Sequence, residues 1–158
     1  KAREIAEAAV EALRSGKYRF LRLNFPNGDM VGHTGSLPAA VTAVKAVDDA
    51  LGKLIEAVDE TGGTLIVTAD HGNCEQMIEV DKKTGKPVTG SGGGFKATTS
   101  HSLNPVPFVI HGPDTARYKI NEGVTDPGLG NVAATILRLL GLEKPEDYLD
   151  PLVTVEGP

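Results

Sequence analysis

The stretch Thr64-Leu-Ile-Val-Thr-Ala-Asp-His-Gly72 decides the predicted fold, because it ends an apolar run at an acid and an imidazole. Residues 65–67 follow two glycines and are partly β-branched, which is typical of a short buried strand. In open α/β sheets, functional groups gather where strands end. Adjacent strand side chains point to opposite faces, so Asp70 and His71 can serve one site only if the pleat breaks, as Gly72 permits. The alternative is a capping Asp beside a surface His.

Composition limits the classes of partner. The chain has 158 residues, enough for one domain with a core, and a formal net charge of −5 without any Lys/Arg-rich run. We therefore expect no nucleic-acid partner. Cys74 is the only cysteine, which excludes an internal disulfide and favours a reducing compartment, the cytoplasm. No apolar run has membrane-spanning length and no signal-peptide pattern is visible, so no membrane association is expected. The chain begins inside a helical pattern, as a piece of a longer polypeptide would.

The order of helical and strand patterns predicts an α/β fold. Apolar spacing predicts a helix over residues 1–14, and alternation predicts a strand over residues 18–25. Ser36 is the predicted N-cap of a long helix that runs to about residue 60, and the strand described above follows. Strand, helix and strand make a βαβ unit with parallel pairing and a right-handed crossover. The predicted fold class is therefore a mainly parallel sheet flanked by helices.

The chain after this unit is less regular. Residues 73–104 are predicted to be irregular, with a hairpin that pairs residues 76–80 with residues near Val88. Gly90-Ser-Gly-Gly-Gly94 is predicted to be a mobile tip. A third strand is predicted over residues 105–110, where prolines are confined to its start. A last helix, from about residue 129 to 140, is predicted to end at Gly141, and the proline-containing tail to pack on the surface.

Five acid or imidazole side chains lie in or beside loops at predicted strand ends. They are Asp29 and His33 in the glycine-rich loop 26–35, Asp70 and His71 after the central strand, and His101 before the third strand. Because the ends of parallel strands share one edge of a sheet, these groups can converge. Carboxylate oxygen and imidazole nitrogen suit Mn²⁺ or Zn²⁺, and five ligands point to two ions, as in phosphoryl-transfer centres. The alternative is scattered Asp and His on a polar surface.

Several stretches carry a family resemblance. Asn27-Gly-Asp-Met-Val-Gly-His-Thr-Gly35, Val67-Thr-Ala-Asp-His-Gly-Asn-Cys74, His101-Ser-Leu-Asn-Pro-Val-Pro107 and Gly130-Asn-Val-Ala-Ala-Thr-Ile136 together resemble the C-terminal part of cofactor-independent (2,3-bisphosphoglycerate-independent) phosphoglycerate mutases. That family belongs to the alkaline phosphatase superfamily, and the resemblance covers essentially the whole chain. It implies an alkaline-phosphatase-like but incomplete fold, in which residues 1–158 are the C-terminal part of a metal-binding phosphatase-type domain.

The resemblance also implies a division of the metal ligands. By resemblance, Asp29, His33 and His101 hold one ion, and Asp70 and His71 hold the second. The implied cofactors are two divalent ions, with Mn²⁺ favoured and Zn²⁺, Co²⁺ or Mg²⁺ as alternatives. The implied activity is the interconversion of 3-phosphoglycerate and 2-phosphoglycerate, in glycolysis and gluconeogenesis, through a phosphoserine intermediate. The substrate is then a small phosphorylated sugar acid, and the parent a monomeric cytoplasmic enzyme.

Groups that this family needs are not assignable within the chain. Its nucleophilic serine and a further metal-binding aspartate lie upstream of the first motif, and its substrate-gripping residues lie mostly on an inserted domain. No catalytic residue is therefore assigned here. The serines considered and set aside are Ser36, Ser91, Ser100 and Ser102. Cys74 is expected to be a packed thiol, His111 a strand-end surface residue, and the run from Gly90 to Thr98 a flexible loop, not a phosphate loop.

Two alternatives stay open at this point. The chain could belong to another member of the superfamily, such as a phosphopentomutase or a metal-dependent phosphatase. It could also be a fragment that binds metal but is inactive, as the unassigned serine suggests. The residue sequence of the first motif, Asn27 to Gly35, favours a phosphoglycerate mutase over another member of the superfamily. A turnover assay distinguishes an active enzyme from an inactive metal-binding fragment.

Overall fold

A computed structural model describes residues 1–156 and divides the chain into two compact units, Lys1–Ile110 and a second that begins at His111. The first unit carries all five predicted metal-binding residues. No helix within the described residues is long and apolar enough to cross a bilayer.

Three helices build the first unit: α1 (Ala2–Arg14), α2 (Asn27–Gly32) and α3 (Leu37–Thr61). The predictions of α1 and α3 are confirmed. Helices α1 and α3 pack through the small side chains of Ala2, Ala6 and Ala50, with Phe25 against them. Small residues let the two backbones approach closely, so apolar area is buried without large side chains.

The ends of α3 follow the expected signals, with one difference. Ser36 is the N-cap residue, as predicted, but its side chain makes no capping hydrogen bond. Pro38 lies in the first turn of the helix, where a backbone N–H has no partner within the helix, so the N–H that proline lacks is not missed. Gly62 ends the helix with a left-handed φ of +67°, which glycine adopts without steric cost.

The strand predicted over residues 18–25 is wrong: this segment forms no regular secondary structure and belongs to no sheet. A strand needs a partner backbone for its hydrogen bonds, and no strand in residues 1–156 pairs with it. Tyr18 and Phe20 are 61% and 52% exposed, so the alternation that predicted a half-buried face buries little. The predicted βαβ unit therefore lacks its first strand.

The central strand and the third strand are confirmed. Strand β1 (Leu65–Thr68) pairs with β2 (Phe108–His111) in a two-stranded sheet. Strand β2 begins after Pro107, as expected from the N–H that proline lacks. The loop predicted over residues 26–35 is corrected, since α2 occupies residues 27–32 of it. Its helical turn is closed by backbone N–H groups, of which that of Met30 donates to the carbonyl of Pro26 at 2.9 Å.

The irregular region between β1 and β2 forms isolated antiparallel bridges. The predicted hairpin is confirmed in this reduced form, since Val80 pairs with Pro87 and the N–H of Val88 donates to Glu79 at 2.8 Å. Residues 90–94, which were predicted to be a mobile tip, form a turn in which the N–H of Gly90 donates to the carbonyl of Gly94 at 2.7 Å. The other bridges in this region are Ile78 with Ala97 and Thr89 with Phe95.

The second unit contains a helix and a small antiparallel sheet. The predicted last helix is present as a 3₁₀ turn (Leu129–Asn131) followed by α4 (Val132–Leu139). Strands β3 (Tyr118–Ile120) and β4 (Val153–Val155) pair antiparallel. Neither strand was predicted, because three residues are too short to show a period of two. The tail is thus partly a strand, and its last two residues lie outside the described part of the chain.

Candidate metal centre

Helix α2 places the first two predicted ligands on one face. Asp29 and His33 are four residues apart, and such side chains are neighbours on a helix. His33 Nε2 lies 3.2 Å from Asp29 Oδ1. The glycine-rich stretch therefore presents an acid and an imidazole side by side, although it was predicted to be a loop.

The segments that follow β1 and precede β2 bring two further imidazoles to the same carboxylate. His101 Nε2 lies 3.0 Å from Asp29 Oδ1 and 3.2 Å from His33 Nε2. His71 Nε2 lies 3.9 Å from Asp29 Oδ1, and its ring stacks on that of His101 with the centroids 3.6 Å apart. Three imidazoles thus converge on one carboxylate oxygen.

These separations can be compared with what a shared ion requires. An ion held at about 2.1 Å by two ligand atoms, at tetrahedral or octahedral angles, sets those atoms roughly 3.0–3.4 Å apart. Asp29 Oδ1, His33 Nε2 and His101 Nε2 are separated by 3.0 to 3.2 Å. The ligand atoms of Asp29, His71 and His101 also lie within 4.8 Å of one another. The residues present therefore fit a divalent ion in both chemistry and spacing.

Backbone carbonyls orient two of the imidazoles. His33 Nδ1 lies 2.6 Å from the carbonyl oxygen of Thr99, and His71 Nδ1 lies 3.4 Å from that of Gly72. A carbonyl only accepts, so the proton of a neutral imidazole sits on Nδ1 in each contact and leaves Nε2 unprotonated, with a lone pair that can bind an ion. This is the arrangement found around histidines that bind metal ions.

Asn73 holds the central carboxylate and was not singled out from the sequence. Its Nδ2 donates to Asp29 Oδ1 at 3.1 Å and to the Asp29 carbonyl at 3.4 Å. Partial burial on its own would raise the pKa of Asp29, but the hydrogen bond from Asn73 and the nearby His33 and His101 lower that pKa overall. Asp29 is therefore ionised at neutral pH, as a metal ligand must be. The only indication of this role in the sequence is that Asn73 follows the predicted ligand His71 by two residues.

Asp70 lies at the rim of this cluster. Its side chain is 86% exposed, and its Oδ1 lies 3.6 Å from His71 Nε2. Asp70 and His71 both follow the end of β1 at Thr68, so the alternation of a regular strand does not separate them. The structure thus places three predicted imidazoles, those of His33, His71 and His101, around the carboxylate oxygen of Asp29. The fifth predicted residue, Asp70, lies beside His71 and faces solvent.

The other residues considered from the sequence lie outside the cluster. Cys74 is partly buried and lines a cleft with the apolar side chains of α3, in keeping with a packed thiol. His111 ends β2. The hydroxyl of Ser102 donates to the carboxylate of Glu75.

Comparison with known proteins gives a consistent picture. A family model described as the metalloenzyme superfamily matches residues 1–144. The phosphoglycerate mutase of Trypanosoma brucei brucei (2,3-bisphosphoglycerate-independent) is 48% identical over 156 residues, and that of Ricinus communis is 47% identical over 154 residues. The match covers 98% and 97% of this chain, respectively, but only 28% of either relative.

A solved structure agrees with these relatives. The structure of Leishmania mexicana phosphoglycerate mutase at low cobalt concentration superposes with a TM-score of 0.92 and 52% identity, and covers 98% of this chain and 28% of that one. The predicted resemblance to cofactor-independent phosphoglycerate mutases is confirmed by these similarities. Because the family model covers most of its length, this chain belongs to the metalloenzyme superfamily.

Proposed function

We propose that this chain supplies the metal-binding centre of a phosphoglycerate mutase that interconverts 3-phosphoglycerate and 2-phosphoglycerate through a phosphoserine. The observation that carries the proposal is the triangle of Asp29 Oδ1, His33 Nε2 and His101 Nε2, whose edges are 3.0 to 3.2 Å. It occurs in a chain similar over nearly its whole length to proteins named as such mutases. Phosphopentomutase and phosphatase activities lack comparable support.

The proposed ligand sets follow the resemblance and the distances. Asp29, His33 and His101 hold one divalent ion, and Asp70 and His71 contribute to a second, with Mn²⁺ proposed at both. Two such ions supply positive charge that stabilises the attacking and leaving oxygens in phosphoryl transfer. The exposure of Asp70 suits a site whose remaining ligands come from elsewhere. Asn73 keeps Asp29 ionised and aimed into the site, and the Thr99 carbonyl keeps the proton of His33 away from it.

The remaining machinery is proposed to lie in other parts of a longer polypeptide. The chain spans about 28% of the length of the curated relatives described above. A serine outside this chain accepts the phosphoryl group, and an inserted domain grips the substrate. Residues 1–158 then form the C-terminal part of a phosphatase-type domain, in which β1 and β2 belong to a mainly parallel sheet. We further propose a monomeric, cytoplasmic enzyme of glycolysis and gluconeogenesis that binds neither nucleic acid nor membrane.

A titration with Co²⁺ and a turnover assay test the proposal. We expect Asp29→Asn to weaken Co²⁺ binding by more than about 100-fold, since even changes behind the ligands cost about 10–100-fold. Asp49→Asn is the matched control, because the Asp49 side chain forms an exposed ion pair with Lys45, on the surface of α3. In the full-length polypeptide, ³¹P NMR should show conversion of 3-phosphoglycerate into 2-phosphoglycerate. Release of inorganic phosphate instead, or turnover of pentose phosphates alone, would overturn the assignment.

A further inference from the structure

The carboxylate of Glu75 connects two segments of the first unit that are distant in sequence. Its Oε2 accepts a hydrogen bond of 2.6 Å from the backbone N–H of Asn73. Its Oε1 accepts one of 2.9 Å from Asn104 Nδ2 and another from the hydroxyl of Ser102. Both oxygens are therefore occupied, one within its own segment and one by the segment that precedes β2.

These two segments carry the stacked histidines. Ser102 follows His101 directly, and Gly72 follows His71. The N–H of Ser102 donates to the Gly72 carbonyl at 2.9 Å, in an isolated antiparallel bridge. The rings of His71 and His101 lie beside this bridge, inclined by 17°. The link through Glu75 thus holds the bridge from which both imidazoles project.

The junction is closely packed and charged. A Cβ on Gly72 would lie 2.9 Å from Glu75 Cδ, closer than such atoms approach, so any other residue there would displace the Glu75 carboxylate. Burial on its own would raise the pKa of Glu75, but the hydrogen bonds from Ser102, its own segment and Asn104 lower that pKa overall. An ionised carboxylate makes stronger hydrogen bonds than a neutral group does.

His101 depends on this link more than the other histidines do. Backbone carbonyls orient His33 and His71 through Nδ1. The hydrogen bonds that His101 makes with the described residues run through Nε2, to Asp29 and His33, and not through Nδ1. Besides its Nε2 contacts with Asp29 and His33, the His101 ring is therefore placed by its stacking on His71 and by the backbone it shares with Ser102.

We propose that Glu75 is a positioning residue, which fixes His101 against His71 and so sets the metal affinity of the site. Glu75 supplies no atom to the cluster itself. The effect on affinity rests on the proposed metal centre, whereas the effect on ring geometry does not. The two effects can therefore be measured separately.

The first measurement is Co²⁺ affinity, by calorimetric titration of the purified protein. We expect Glu75→Ala to weaken binding by about 10–100-fold, the usual cost of removing a group that orients a ligand. Glu75→Gln should lose less Co²⁺ affinity than Glu75→Ala, since the remaining amide oxygen can still accept a hydrogen bond. Glu79→Ala is the matched control: Glu79 pairs with Lys96 in the neighbouring hairpin and should stay within about twofold of the unaltered protein.

The second measurement uses the metal-free protein. Nuclear Overhauser contacts between the ring protons of His71 and His101 are expected in the unaltered protein and in Glu79→Ala. They should weaken or vanish in Glu75→Ala, while circular dichroism stays unchanged. If Glu75→Ala does not fold, Asn104→Ala decides instead, with an expected loss of Co²⁺ affinity of about tenfold, the lower end of the cost of one missing hydrogen bond to a charged group.

The outcomes separate the two proposals. Unchanged ring contacts together with unchanged Co²⁺ affinity in Glu75→Ala, or in Asn104→Ala when the first does not fold, would overturn the role of Glu75. An unaltered protein that binds no Co²⁺, or binds it equally well after Asp29→Asn, would overturn the proposed function instead. In that case the ring contacts still decide whether Glu75 positions His101.

Discussion

Adding one methyl group at Gly32 should disturb the candidate metal centre indirectly, by displacing the Asn73 side chain that contacts Asp29. Gly32 is buried at the end of α2, and a Cβ there would lie 2.8 Å from Asn73 Cγ, with Asn73 Oδ1 closer still. The Asn73 side chain therefore cannot keep its place in Gly32→Ala. Since Asn73 Nδ2 donates to Asp29 Oδ1, the perturbation reaches the central carboxylate without changing a ligand.

The expected cost follows from three contributions. Alanine favours a helix over glycine by about 1 kcal/mol. Overpacking costs about 1–3 kcal/mol, and loss of a hydrogen bond to a charged group costs about 1.5–3 kcal/mol. Gly32→Ala should therefore destabilise the metal-free protein by roughly 1.5–5 kcal/mol. Gly52→Ala is the matched control: Gly52 lies exposed within α3 with nothing near its Cβ position, so it should stabilise by about 0.5–1 kcal/mol.

Urea unfolding of the metal-free proteins, followed by circular dichroism, measures both differences. Co²⁺ titration of the same proteins should show affinity lowered at least about tenfold in Gly32→Ala, because a group that orients a ligand has moved, and unchanged in Gly52→Ala. The reasoning is refuted if Gly32→Ala is as stable as Gly52→Ala and binds Co²⁺ equally well, since Asn73 would then be free to move at no cost.

Three further predictions concern activity and mobility. The 158-residue chain by itself should show no mutase turnover with excess Mn²⁺, as followed by ³¹P NMR; conversion abolished by altering one of its own serines would contradict this. In the full-length polypeptide, Asp70→Asn should lower activity far more than Cys74→Ser, because Asn removes a charge that a metal requires whereas Ser replaces a packed thiol; equal losses would make Cys74 a ligand. Residues 85–100 of the metal-free protein, nearly all exposed, should exchange amide hydrogens faster than residues 65–67; equal protection would disprove the mobility expected before His101 binds metal.

Periodicity in the sequence was sufficient for the long elements of this protein. Helix α3 shows an apolar stripe over many turns, and β1 is a compact apolar run between glycines and an acid. Periodicity failed where a segment's structure depends on pairing with another segment of the chain. Residues 18–25 alternate like a strand yet pair with none in the described chain, whereas β3 and β4 have almost no pattern and pair because folding brings them together.

The sequence by itself determined which side chains carry the proposed chemistry, because metal ligands are limited to few residue types and occur in recognisable motifs. Only the tertiary structure decided how they meet. The ligand atoms of Asp29, His33 and His101 lie within 3.2 Å of one another. Asn73 contacts Asp29, and Glu75 joins the segments of His71 and His101, through hydrogen bonds to residues that are distant in sequence. Periodicity reports only which face of its own element a residue occupies, so hydrogen bonds between separate segments leave no local pattern from which they could be predicted.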